Sequence, residues 1–157
     1  MRKISSLEDL LSISKNETVE LTQDIDCRGK RVSGICSVFS GVLEGNNHAI
    51  SNLVIEKKIK GDEQKIALFE ILSHACIRNV RFENITFEIN RGVYTPRVAG
   101  LGVEVTDSDL DNVTLKVNTS NGEGIPMIYD SAGCKDKGIE YSCNNRKFKI
   151  YSYKEDA

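Results

Sequence analysis

Carboxylates gather at one place in this sequence. Glu104, Asp107, Asp109 and Asp111 fall within EVTDSDLDN (104–112). In an extended chain Asp107, Asp109 and Asp111 share one face at intervals of about 6.5–7 Å. Such a row suits chelation of a hard cation or acid–base attack on a polysaccharide. It also suits imitation of the phosphates along a nucleic-acid strand, aimed at a protein that binds nucleic acid. The plainest reading is a solvated corner between strands.

A second group lies in NRKFKIYSYK (145–154), where Arg146, Lys147 and Lys149 interleave with Phe148, Tyr151 and Tyr153. Basic and aromatic side chains in alternation suit a nucleic acid or an acidic protein surface. They equally suit an edge strand whose lysines discourage sheet-to-sheet association. His48 and His74 stand just before Ile50 and Ile77 and are expected near each other on adjacent coils. A histidine pair alone makes no nucleophile system. No phosphate-binding or dinucleotide-binding glycine motif occurs.

The remaining composition narrows the classes. A chain of 157 residues suits one domain with a real core, and with no Trp that core must be aliphatic. A net charge of -2 disfavours a strongly basic nucleic-acid binder, so direct nucleic-acid binding is not expected. No apolar run reaches the length of a membrane span, and the N-terminal MRKISSLEDLLSIS lacks the apolar segment of a signal peptide. The expectation is a cytoplasmic protein without a membrane contact. The five cysteines, Cys27, Cys36, Cys76, Cys134 and Cys143, show no metal-ligand spacing and read as reduced thiols in or near the core. A Cys134–Cys143 disulfide is the alternative. No metal and no cofactor is expected.

What must position these groups is a repeat. Ile50-x-Asn52-Leu53-x-Ile55, Ile77-x-Asn79-Val80-x-Phe82 and Leu110-x-Asn112-Val113-x-Leu115 share one pattern. Each is preceded by an apolar stretch: VFSGVLEG from 38, IALFEILS from 66 and VAGLGVEV from 98. IPMIYDSA from 125 starts a fourth copy. A period of roughly 30 residues marks a solenoid. The copies alternate and are rich in β-branched and aromatic residues, which selects strands over helices. Stacked coils are expected to align Ile50 with Ile77 and Leu110, Leu53 with Val80 and Val113, and Ile55 with Phe82 and Leu115. Asn52, Asn79 and Asn112 then form a structural ladder at a left-handed corner.

The ends read as caps. SSLEDLLSIS, with Ser5 or Ser6 as N-cap, predicts a helix over 5–13 that closes the N-terminal end. Residues 20–118 carry the repeats, and 119–157 form an atypical last coil and a C-terminal cap. The stretches 56–65 and 90–97 are excursions outside the core.

Leu21-Thr-Gln-Asp-Ile-Asp26, Phe39-Ser-Gly-Val-Leu-Glu-Gly45 with Ile50-Ser-Asn-Leu53, and Ala67-Leu-Phe69 with Ile77-Arg-Asn-Val80 resemble GLUG-type repeats over roughly residues 20–118. The resemblance implies an all-β right-handed parallel β-helix, here of about four or five coils. It implies no fixed chemistry, since function lies in sites carried by a fold. Members of that family recur in bacterial surface and secreted proteins.

The expected function is a non-enzymatic protein-binding module, an intracellular inhibitor that occupies a partner's surface. A phage or mobile-element inhibitor of a bacterial defence nuclease is its most specific form. A surface-protein or carbohydrate-binding domain is the alternative, and a polysaccharide-degrading enzyme the third. The expected partner is a protein, in the specific form a nuclease or other nucleic-acid-binding protein. A dimer through the open end, along KFKIYSYK, is a further expectation.

Overall fold

In the computed structural model, which describes residues 1–155, the chain winds into a β-solenoid of about four turns. The first elements are β1 (Arg2–Ile4), α1 (Leu7–Leu11), β2 (Thr18–Leu21), β3 (Ile25–Val32), β4 (Val38–Phe39) and β5 (Val42–Glu56). β6 (Lys65–Ile66), β7 (Phe69–Ser73), β8 (Cys76–Glu88), β9 (Arg97–Val98) and β10 (Gly102–Thr106) follow. β11 (Asp109–Thr119), β12 (Ile128–Ala132), β13 (Lys135–Cys143), β14 (Arg146–Lys147) and β15 (Tyr151–Glu155) complete it. Asp156 and Ala157, assigned above to the cap, lie outside the described residues.

Each turn places a short strand in one sheet, rounds a corner, and runs a long bent strand through another. The long strands form the sheet β1-β2-β5-β8-β11-β13-β14, with β3 also on β5. The short strands form β15-β12-β10-β7-β4. All pairings are parallel except β13 with β14. β6 and β9 make a third, two-stranded sheet where the excursions rejoin the coil. The excursions also touch each other, the Thr95 N–H donating to Asp62 at 2.7 Å. Pro96 and Pro126, which lack a donor for a ladder, stand just before β9 and near the start of β12.

The core is aliphatic and phenylalanine-rich, with Phe39, Phe69, Phe82 and Phe87 fully buried. α1 caps its N-terminal end: the Asp9 N–H donates to the Ser6 hydroxyl, and Leu10 is fully buried while Leu7 and Leu11 are half-buried. One element escaped the sequence reading. β1 pairs with β2, so the solenoid starts at Arg2 rather than at residue 20.

The inward rows differ from the expected alignment by one slip. Val38 pairs with Ile71 rather than Ile66, and Ile50 pairs with Phe82 rather than Ile77, a shift of five residues in both halves of the first copy. The row beside Ile77 and Leu110 is therefore completed by Leu43, and the row of Phe82 and Leu115 by Ile50 and Tyr141. Leu53 and Ile55 lie beside Lys30 and Val32 of β3, and Ile55 beside Phe87 of β8. The cause is the segment Gly45-Asn46-Asn47, which fills the first corner of β5 where β8 uses Asn79 alone. The motif of Ile50 therefore serves the second corner. Its true counterpart is Phe82-x-Asn84-Ile85-x-Phe87, the same pattern repeated within β8.

Gly45 is buried at that corner, and a Cβ there would stand 2.2 Å from the Asn79 carbonyl oxygen and 2.6 Å from the Val80 Cβ. Both neighbours belong to the next coil and cannot swing away. Gly45→Ala is expected to cost about 1–3 kcal/mol and to lower Tm by roughly 3–10 °C. Gly61→Ala, which meets open space, should leave Tm unchanged. Equal melting of the two variants in calorimetry would remove the packing argument.

Candidate binding surface

Three stacks of corners position the surface groups. At the first corner of the long strands, Asn79 and Asn112 have φ of 55° and 54°, and the Asn112 amide donates to Asn79 Oδ1 at 3.0 Å. Gly138, φ 65°, takes the same place one coil on. At the second corner Asn52 and Asn84 have φ of 61° and 52°. The amides there form a chain: Asn52 donates to Asp26 at 2.9 Å, Asn84 to Asn52 at 2.8 Å, and Asn118 to Asn84 at 3.1 Å. The expected single ladder is thus two. Asn79 and Asn112 share one, and Asn52 belongs to the other because of the five-residue slip. The short amide tolerates a left-handed backbone and bonds its neighbour, so these residues hold corners.

The third stack lies between the two main sheets, at His74, Asp107 and Gly133, with φ of 52°, 48° and 65°. His74 Nε2 is 3.9 Å from Asp107. His48 sits elsewhere, within β5 and beside Asp24 at 3.2 Å, so the two histidines do not form the expected pair.

The four expected acids separate. Glu104 lies in the short-strand sheet, where Arg97 reaches it at 3.3 Å and Lys65 at 3.8 Å. Asp107 is in its corner. Asp109 and Asp111 project from β11, and strand register sets one cation beside Asp109 and one on each side of Asp111. Asp109 lies between Cys76 and Lys135, and Asp111 between Arg78 and Lys137. Across the sheet, Glu44, Arg78, Asp111 and Lys137 make a column of alternating sign, with neighbouring strands about 4.8 Å apart. A strand of phosphates has one sign throughout, so this arrangement corrects the expectation of a phosphate-like row. No group of three or more His, Cys, Asp or Glu able to hold a metal ion occurs among the described residues.

Beside Glu104 runs an open groove of about 770 Å³ lined by Glu104, Asp130, Ser152, Tyr153 and Lys154. Arg97 bridges its two inner carboxylates, reaching Asp130 at 3.3 Å. Tyr129 and Tyr153 meet edge to face, centroids 5.6 Å apart.

The C-terminal end differs electrostatically from the body. Through the body, Arg2, Arg31, Arg78, Arg81, Arg91 and Arg97 each meet a carboxylate, at 2.6 to 3.6 Å. On the last coil Lys135, Lys137, Arg146, Lys147, Lys149 and Lys154 are exposed, and none joins an ion pair among the described residues. The aromatic members of this stretch divide. Tyr151 is half-buried and donates its hydroxyl to Asp136. Burial, reinforced by that carboxylate, pushes its pKa far above the usual tyrosine range. Tyr153 is 62% exposed, and Phe148 and Ile150 pack against the end of the core.

The five cysteines are free thiols, with Cys27 and Cys143 buried, so no Cys134–Cys143 bond forms. Burial, helped by Asp26, pushes the Cys27 thiol up to about 11, which suits a core side chain rather than a nucleophile. No helix among the described residues is long and apolar enough to cross a membrane. Compared with protein-family models, with curated proteins and with solved structures, the chain matches none at a significant level.

Glu44 ties the first corner to its neighbours. Burial works against its charge. The Asn46 N–H, the Arg78 guanidinium at 2.8 Å and the Asn79 amide outweigh that and hold its carboxyl below the usual glutamate value of 4.5. A depressed folded value means a stabilising contribution fully present above pH 4.5 and lost as pH falls through the folded value. Glu44→Gln is expected to lower Tm at pH 7 by roughly 4–8 °C, from about 2 kcal/mol for a charge-assisted bond. The difference from wild type should shrink below pH 4.5 in thermal melts. A difference that persists unchanged to pH 2.5 (about two units below the ordinary value) would show that the ion pair is not its source.

Proposed function

We propose that this chain is a non-enzymatic protein-binding module, a solenoid whose preformed surface occupies that of a partner protein. The observation that carries the reading is the contrast between body and end. In the body Arg2, Arg31, Lys57, Lys65, Arg78, Arg81, Arg91 and Arg97 meet carboxylates while Lys3, Lys15, Arg28, Lys30, Lys58, Lys60 and Lys116 stand exposed without one. On the last coil no exposed cation joins an ion pair among the described residues, and those cations stand beside sheet edges without strand partners. A rigid scaffold gives up little conformational entropy on binding. The carboxylate pair of the groove, Glu104 and Asp130, is bridged by Arg97, and the neighbouring Glu56 and Glu88 are bridged by Arg31 in the same way. The Arg97 guanidinium occupies the oxygens an acid–base pair would use.

An inhibitor acting by occupancy is one form of this activity. The acidic row was the expected point of contact with a nuclease partner, and Lys135 beside Asp109 and Arg78 and Lys137 beside Asp111 count against that contact. We keep the protein partner and move the expected contact to the basic end.

A second reading, glycan binding, is favoured by one observation. Tyr153, with Tyr129 against its ring, stands in an open groove with Glu104 and Asp130, and an aromatic ring with carboxylates suits sugar C–H and hydroxyl groups. The resemblance to GLUG-type repeats favours it too, through that family's surface-protein setting.

Affinity capture with the full chain from a nuclease-treated lysate, followed by reconstitution from purified components, tests the two. The expected outcome is one protein in a stoichiometric complex by size-exclusion chromatography with light scattering. Binding to a glycan array that Tyr153→Ala abolishes, with no protein partner, would replace the first reading by the second.

A further inference from the structure

The last coil leaves two strand edges without partners. β15 pairs with β12 on one side and with no described strand on the other. β14 covers only Ser142 and Cys143 of β13. Of the two, β15 is the regular edge, because β13 turns a left-handed corner at Gly138. The Ile128 N–H donates to the Ile150 carbonyl at 2.7 Å. Alternation along a strand then directs the main-chain groups of Ser152 and Lys154 toward β12, and those of Tyr151, Tyr153 and Glu155 toward the free edge. Lys154 lies on β15 and Lys149 just before it, and the last coil as a whole carries six exposed cations against four described carboxylates, Asp130, Asp136, Glu140 and Glu155, of which Asp130 is held by Arg97. Asp136 is already bonded by Tyr151.

Two of these features point to one class of occupant. A free edge offers donors and acceptors in the pattern of a peptide strand, which a phosphodiester chain does not reproduce. An unneutralised cluster of lysines selects a partner of negative sign. Over β11, β13 and β14, a cleft of about 390 Å³ lined in part by Ile139, Tyr141, Phe148 and Ile150 reaches the residue that precedes β15 and adds apolar surface to this end. A second copy of this end would bring like charge to like charge, so the self-dimer expected through KFKIYSYK is disfavoured.

We infer that the C-terminal end is a docking surface for an acidic extended segment of a partner protein, which adds as a further strand to β15. The inference rests on the protein-binding reading and deepens it by naming the site and the partner's chemistry. Lys147, Lys149 and Lys154 supply the charge recognition. Tyr153 supplies main-chain pairing and an exposed ring.

The test uses the full chain and defined probes in fluorescence anisotropy. One probe is a strand-forming peptide alternating Glu with Val and Thr. The second has the same charge but is interrupted by proline, the third replaces Glu by Lys, and the fourth is a single-stranded oligonucleotide of equal charge. The acidic strand former is expected to bind at least tenfold tighter than each of the others. Joint replacement Lys147→Glu, Lys149→Glu and Lys154→Glu should weaken it at least tenfold. Tyr153→Pro, which removes an edge donor at a position where an edge strand tolerates proline, should reduce it to the level of the interrupted peptide. Tyr153→Ala controls for the ring, and thermal melts confirm that each variant is folded.

Equal binding of the interrupted peptide, or tighter binding of the oligonucleotide, overturns the inference in favour of a general polyanion surface. Absence of binding by every probe overturns it outright. If the reconstituted partner complex forms but ignores both the charge reversal and Tyr153→Pro, protein binding stands and this site falls. If no protein complex forms, the broader reading falls first.

Discussion

A left-handed corner recurring at the same place in every coil is the constraint from which the rest of this structure follows. A stacked coil can bury its inward row only if it bends where its neighbour bends. An ordinary L-residue resists that backbone by about 1–2 kcal/mol. Asn52, Asn79, Asn84 and Asn112 meet the requirement with φ between 52° and 61°. Their amides return part of the cost by bonding the next coil. Where no Asn is used, Gly133 and Gly138 do the bending without a side chain. Ion pairs such as Glu44 to Arg78 follow from this arrangement, because the corners fix which outward side chains become neighbours.

The class of fold was legible because the alternation, the β-branched composition and the recurring Asn all point to stacked strands. The register of the first copy was not. Ile50-x-Asn52 and Ile77-x-Asn79 look alike as strings, yet they serve different corners. The discriminating residues were Gly45, Asn46 and Asn47, whose crowding marks a corner of its own, and Phe82-x-Asn84-Ile85-x-Phe87, the true counterpart of the Ile50 motif. A six-residue pattern carries no information on which of two chemically equivalent corners it occupies. Only the neighbouring coil decides that.

The same limit governed the surface. Sequence placed Asp107, Asp109 and Asp111 on one strand face and left the adjacent strands blank. In the sheet, a side chain's nearest charged neighbours come from residues about 25 to 35 positions away, and those neighbours reversed the meaning of the row. Asp107 dropped out because its own corner turns left-handed. The basic C-terminal stretch kept its character for the opposite reason. None of its cations joins an ion pair among the described residues, so its exposed lysines and arginine keep the sign that the sequence shows.

A solenoid has no closing step of its own, and each end must be finished separately. The N-terminal end is finished by burial: α1 lays Leu10 into the core, and β1 covers the edge of β2. The C-terminal end gives one inward position to Asp136, where Leu110 stands one coil earlier, and ties it to Tyr151. Its edges are held apart from other sheets by lysine charge, the usual device against edge-to-edge association. A lysine guard rejects neutral and basic edges but not an acidic one, because opposite charge cancels the repulsion that does the guarding. The device that keeps this end from aggregating therefore also defines the one kind of strand it can admit. An end built only for solubility and an end built for an acidic partner differ in what lies beneath the charge. Here Ile139, Phe148 and Ile150 pack on the end of the core, as any cap requires, and the exposed Tyr153 is the apolar group that capping does not account for.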